Sequence, residues 1–170
     1  MRYTVFMKEN STISFDYFGA TITARSIGTD FVPPLGLIIT AHCVPVTSDD
    51  KIIAVEVVHR GVDIPGGHIE TGETAQQAMR REVYEEVCIR LKEPVLIDVW
   101  RLSSDDTRIG LTKKPYLLVY AARVQTIEPF VPNEEVSDRL ILTPEAFVSQ
   151  YFGDKKQAAI MVDRAVTALS

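Results

Sequence analysis

From Ala75 to Val87 the apolar side chains fall at Ala75, Ala78, Met79, Val83 and Val87, the spacing of one face of an amphipathic helix. Thr74 stands just before them as an N-cap, and Gln77 completes a capping-box pattern. Pro65-Gly66-Gly67 punctuates the chain ahead of this helix, and Pro94 breaks the pattern after it. The pattern predicts a helix that runs past Val87, through Leu91.

Elsewhere the periodicity reads as strand. Residues 3–7 and 12–26 have β-leaning composition, with Gly19 marking a bend or bulge. The run Leu37-Ile38-Ile39 and the run Ile52-Ile53-Ala54-Val55 flank the turn-like cluster Ser48-Asp49-Asp50-Lys51, which predicts a hairpin. Residues 57–65 lead into the glycine turn. Val95–Leu102 and Tyr116–Val124 read as further strands, separated by a polar loop from Ser103 to Lys114. A short strand is expected over Arg139–Leu142. Thr143-Pro144-Glu145 is a helix start with Pro at the first helical position. After Gly153 a last amphipathic helix carries Ala158, Ile160, Met161, Ala165, Val166 and Leu169.

Composition narrows the picture only modestly. The 170 residues suit one domain over 1–170, with 1–34 as accessory strands that form an extra hairpin or a dimer contact. A content of 46% hydrophobic and 24% charged residues is ordinary for a soluble globular protein. The net charge of -5 argues against extended nucleic-acid binding, which needs basic surface. No run reaches the length of a membrane span, and the first residues lack an apolar signal region. Cys43 and Cys88 have no CxxC or metal-ligand spacing, so reduced thiols and a cytoplasmic location are expected. His42, His59 and His68 show no transition-metal spacing.

The acids on the predicted helix carry the chemistry. At about 100° per residue, Glu82 and Glu86 project into the middle of the apolar side and Glu85 lies at its edge. A carboxylate on a core-facing stripe is costly unless paired, and Glu82 and Glu86 repel across one turn. A solvated acidic face with Arg80, Arg81 and Arg90 is the bland alternative, but it does not account for acids set among alanines. Converging oxygens of this kind suit a hard divalent cation.

The order Gly67, five residues, Glu73, seven residues, Arg81-Glu82-Val83, one residue, Glu85-Glu86, one residue, Cys88-Ile89 resembles the Nudix box, G-x5-E-x7-R-E-U-x-E-E-x-G-U. Only the last glycine is replaced, by Cys88. The resemblance implies an α/β/α sandwich on a mixed sheet. It also implies a Mg2+-dependent (or Mn2+-dependent) hydrolase that cuts the diphosphate of a small nucleotide substrate. On this basis Glu82, Glu85 and Glu86 ligate the metal, aided by the Gly66 backbone carbonyl and by Glu135, with Glu134 and Glu128 as lesser choices. One carboxylate acts as base, and Arg81 orients Glu73 and the acidic cluster. Arg60 is a phosphate contact or a plain surface charge. Trp100 and Tyr116 stack on a base or simply fill the core. A catalytically silent nucleotide sensor, or an isomerase of the isopentenyl-diphosphate type, are the competing readings on the same fold. Cys88 is expected in right-handed geometry inside the extended helix, or else in a left-handed conformation strained by about 1–2 kcal/mol.

Overall fold

The computed structural model describes residues 12–17, 19–109, 111–113 and 115–170. The β-leaning stretch 3–7 lies outside them. The strands β1 (Thr12–Tyr17), β2 (Ala20–Ser26), β3 (Ile38–Val46), β4 (Ile52–Val57), β8 (Val95–Ser104), β9 (Tyr116–Ile127) and β10 (Val136–Leu142) lie in the order β1-β2-β8-β9-β3-β4-β10. Three short strands hang on this frame. They are β5 (Gly61–Asp63) on β4, β6 (Gly66–His68) on β3, and β7 (Ile89–Leu91) on β9. The sheet is mixed, because β3 runs parallel to β9 while the other pairings are antiparallel.

The central strands are apolar on both faces, which is why helices cover both. Cys43, Ile53 and Val55 pack with Met79, Val83 and Val87 of α1 (Ala75–Val87). The alternate residues Val44, Ile52 and Ala54 pack with Phe147 of α2 (Pro144–Gln150) and with Ala158, Met161 and Ala165 of α3 (Lys155–Ala168). The period-2 alternation of the strand divides one run between two cores. The result is the three-layer α/β/α arrangement expected from the sequence.

A buried polar knot fixes α3 to the sheet. Ser26 Oγ donates to both oxygens of Asp98, at 2.8 and 3.0 Å, and Arg164 pairs with the same carboxylate. Burial pushes the Asp98 carboxyl up, against the pull of Arg164.

Several boundaries differ from expectation. The N-terminal hairpin turns at Gly19, whose φ of +77° suits glycine, and β2 adds it to the edge of β8. The predicted hairpin of the main sheet turns over 47–51, yet only Val46 and Ile52 pair across it. Beyond that point β3 diverges to take β6 as its neighbour. Strand β10 starts at Val136 rather than Arg139, because Val136 is fully buried against the α1 side. Short 3-10 turns interrupt the 103–114 loop. Trp100 and Tyr116 are both buried, so they are core residues.

The largest correction is at the end of α1. The helix stops at Val87, and Cys88 takes a left-handed conformation with φ 51° and ψ 47°. Ile89 and Leu91 are buried and Arg90 is exposed, so the following residues alternate as the strand β7 instead of continuing the helix. Among the described residues no helix is long and apolar enough to cross a membrane.

Candidate active site at the glycine turn and the first helix

The site begins with two glycines that let backbone and carboxylates meet. In β6, Gly66 pairs with His42 of β3 at φ +149°, and a Cβ there would lie 2.4 Å from the His42 Cα. A Cβ on Gly67 would lie 2.5 Å from the Glu82 carboxyl carbon. A side chain at Gly66 would collide with the β3 backbone, and one at Gly67 would displace the Glu82 carboxylate. Glycine therefore seats the acidic side of the helix directly on the turn.

Thr74 caps α1 as predicted. Its Oγ1 accepts from Gln77 N–H at 3.2 Å, and Gln77 Oε1 accepts from Thr74 N–H at 2.8 Å. With the start fixed, Glu82 and Glu86 face inward and are half-buried, while Glu85 is exposed. Gly66 N–H donates to Glu86 Oε2 at 2.8 Å. Burial nevertheless pushes the Glu86 carboxyl up to about 7, the Gly66 hydrogen bond opposing the shift and the charges of Glu82 and Asp63 adding to it.

Arg81 gathers the other acids. Its Nε and Nη2 donate to the two oxygens of Glu73 at 2.8 and 2.9 Å. Nη1 donates to Glu82 Oε1 at 2.8 Å and to Glu85 Oε2 at 3.3 Å, and Nη2 also reaches the His68 carbonyl at 3.1 Å. The bidentate bond from Arg81 holds the Glu73 carboxyl down at about 2. Arg81 itself is raised, first by Glu73 and also by Glu82.

The outer acids separate by environment. Glu128 is tied up on the exposed side of α1, accepting from Tyr84 Oη at 2.8 Å and Arg90 Nε at 3.0 Å. Glu135 is exposed on the loop before β10, where its carbonyl accepts from Val58 N–H at 2.8 Å. Its carboxylate has no partner among the described residues. Among those residues, no three acidic, imidazole or thiolate groups are yet gathered at metal-binding spacing. Glu82 and Glu85 instead lean on Arg81.

Two further residues stand at the glycine turn: Asp63, which sequence reasoning passed over, leads into it, and His42 pairs with Gly66. Asp63 is buried, with its carboxyl pushed up to about 6 by burial against the opposing charge of Arg60. His42 is lowered to about 4, first by burial and then by Arg60, so it is neutral near pH 7. The signal for Asp63 was available in the sequence: it is an acid inside the apolar run Val62-Asp63-Ile64 that leads into the glycine turn.

A glycine turn, a capped helix with inward acids and a flanking mixed sheet together define a Nudix-type fold. The NUDIX domain family model matches residues 37–164, and the chain belongs to that family. No curated protein matches the sequence. Among solved structures, the chain is similar to the pyrophosphohydrolase BsRppH of Bacillus subtilis, with a TM-score of 0.66 and 18% identity over 91% of this chain and 96% of that one. It is also similar to a NUDIX hydrolase from Nitrosomonas europaea, at TM-score 0.56 and 21% identity over 77% and 88%. A C. elegans Ap4A hydrolase matches at TM-score 0.56 and 13% identity, over 76% and 97%.

Proposed function

We propose that the chain is a divalent-cation-dependent hydrolase, with Mg2+ as its cation, that cleaves a diphosphate linkage in a nucleoside diphosphate derivative or nucleoside triphosphate. The observation that carries this reading is the pair of inward carboxylates, Glu82 and Glu86, seated on Gly66-Gly67. A structural helix has no use for them. The donor set fits a hard cation: it is all oxygen, and burial, with the charges of Glu82 and Asp63, pushes the Glu86 carboxyl up to about 7, a state that a bound cation would relieve. The similarity in fold to pyrophosphohydrolases agrees with it.

In this reading Glu82, Glu85 and Glu86 hold the cation, with the Gly66 backbone and Glu135 beside them. A bound divalent cation supplies charge neutralisation at the phosphate oxygens and a water of lowered pKa. The chain's own residues do the positioning. Arg81 sets the rotamers of Glu73, Glu82 and Glu85 through its fork of donors. Gly66 N–H fixes one oxygen of Glu86. Glu135 is available for a cation or for a proton. Arg60 meets the substrate phosphates. The test is hydrolysis of a nucleotide panel with Mg2+ or Mn2+, reading phosphate, pyrophosphate and mononucleotide. Cleavage within a diphosphate is expected. A folded protein that cleaves nothing on the panel refutes the reading.

A further inference from the structure

The Arg60 guanidinium is held from two sides. Nη2 lies 3.1 Å from Asp63 Oδ2, and Cζ lies 5.3 Å from the centre of the Phe152 ring. Both supports are themselves fixed. Asp63 Oδ1 accepts from Ile64 N–H at 2.8 Å, which leaves Oδ2 turned to Arg60. Phe152 N–H donates to the Val62 carbonyl at 2.8 Å, and its ring packs 5.1 Å from that of Tyr151, which bridges to Val62. The anchor is buried and the cation is not: the Asp63 side chain is 9% exposed and that of Arg60 is 42% exposed.

An arginine with one edge on a buried carboxylate and one face on a ring keeps its remaining donors in a set direction. Its partner Asp63 leads directly into Gly66, whose N–H donates to Glu86 Oε2, so the guanidinium stands at the same glycine turn as the acidic helix. A shallow cavity of about 480 Å³, lined by the 56–61 turn and Ser137, opens onto it.

We propose that Asp63 is a positioning residue. Together with Phe152 it fixes Arg60 as a cation that receives a phosphate of the nucleotide, outside the group of acids on α1. This rests on the hydrolase reading above. In phosphate binding Asp63 acts through Arg60, and that dependence is what an experiment can separate from a plain structural role.

The experiment measures KM and kcat on the best panel substrate for wild type, Arg60→Ala, Asp63→Asn and the double variant, with a melting curve for each. Arg60→Ala is expected to raise KM about 10-fold with kcat changed less than about 3-fold, the signature of a lost binding contact. Asp63→Asn is expected to raise KM by about 3- to 10-fold alone and to add nothing in the Arg60→Ala background, because the two act as a unit. Phe152→Leu, at a partly exposed ring, is expected to follow the same pattern and serves if Asp63→Asn does not fold. Calorimetric titration with ADP reads the same order without turnover. An Arg60→Ala variant with wild-type KM and ADP affinity overturns the inference. So does an Asp63→Asn or Phe152→Leu penalty that persists in full without Arg60. A wild-type protein that is inactive on the whole panel overturns the hydrolase reading as well, whereas an active one with these outcomes overturns the inference alone.

Discussion

At the scale of single residues, Cys88 and Glu86 are each held at a cost. Cys88 has φ 51°, a conformation that costs an L-residue about 1–2 kcal/mol. It stays there because its N–H donates to the Tyr84 carbonyl and its own carbonyl accepts from Glu128 N–H, both at 2.9 Å. Cys88→Gly keeps those backbone bonds and removes the Cβ conflict. It should raise the melting temperature, by about 1 kcal/mol of stability, and a lowered melting temperature would refute the left-handed assignment. Glu86 has the opposite kind of strain. Its carboxyl titrates at about 7 when folded, against 4.5 for the ordinary group. Between those values the folded protein binds a proton that the unfolded chain does not, so stability falls as pH rises. The contribution is full below about pH 4.5, is lost through pH 7 and is flat above. In the absence of divalent cation, Glu86→Gln should therefore match wild type near pH 4 and exceed it in stability at pH 8. At the same time the variant should lose most turnover. A variant less stable than wild type at pH 8, measured by denaturant titration without cation, would contradict the buried, unpaired state of this group.

At the scale of elements, the acidic helix was legible at one end and not at the other. Thr74 and Gln77 announce the start, because capping is local chemistry between neighbouring residues. The same side-chain periodicity placed Glu82 and Glu86 inward and Glu85 at the edge. The stop was not legible because it depends on partners distant in sequence. Arg139 of β10 donates Nη1 to the carbonyls of Val87 at 2.9 Å and Glu128 at 2.8 Å, and its guanidinium lies 5.7 Å from the Phe130 ring. No window around Cys88 contains Arg139, and the three residues Ile89-Arg90-Leu91 are too short a run to separate a strand from a longer helix. Asp63 was missed for a related reason: its significance lies in burial at the glycine turn, which is a tertiary fact. The clamp at the helix end carries its own prediction. Arg139→Ala leaves half-buried carbonyls at the end of α1 without their donor, and should cost about 1–3 kcal/mol. Amide exchange should accelerate in the last turn of α1 and in β7 more than in α3. Uniform acceleration across all three helices would show that Arg139 does not act at this end.

At the scale of the whole molecule, the two cores and the site make unequal demands on stability. The sheet faces are packed with aliphatic residues, and the face carrying α3 is further tied by the Ser26–Asp98–Arg164 knot. The α1 face carries in addition Glu82 and Glu86, one turn apart, with Asp63 close enough to raise Glu86. Arg81 is shared among Glu73, Glu82 and Glu85, and Glu86 is not among its partners. The folded protein without cation thus keeps a carboxylate that stays about half protonated at pH 7. A divalent cation that binds the folded state and not the unfolded chain stabilises by RT ln(1 + [L]/Kd), about 2.7 kcal/mol at a hundredfold excess over Kd. It must also displace the Glu86 proton, so its affinity should fall as pH drops below about 7. Exhaustive chelation should therefore abolish hydrolysis, and adding Mg2+ back should restore it. Mg2+ should raise the melting temperature clearly at pH 8 and little at pH 5. Glu86→Gln should show only a small shift at either pH, since it keeps the shape and removes the charge. Sodium chloride at matched ionic strength controls for screening, because a site of converging carboxylates discriminates by ligand geometry and screening does not. A Mg2+ shift that is equal at both pH values, or that survives Glu86→Gln in full, would place the cation away from α1.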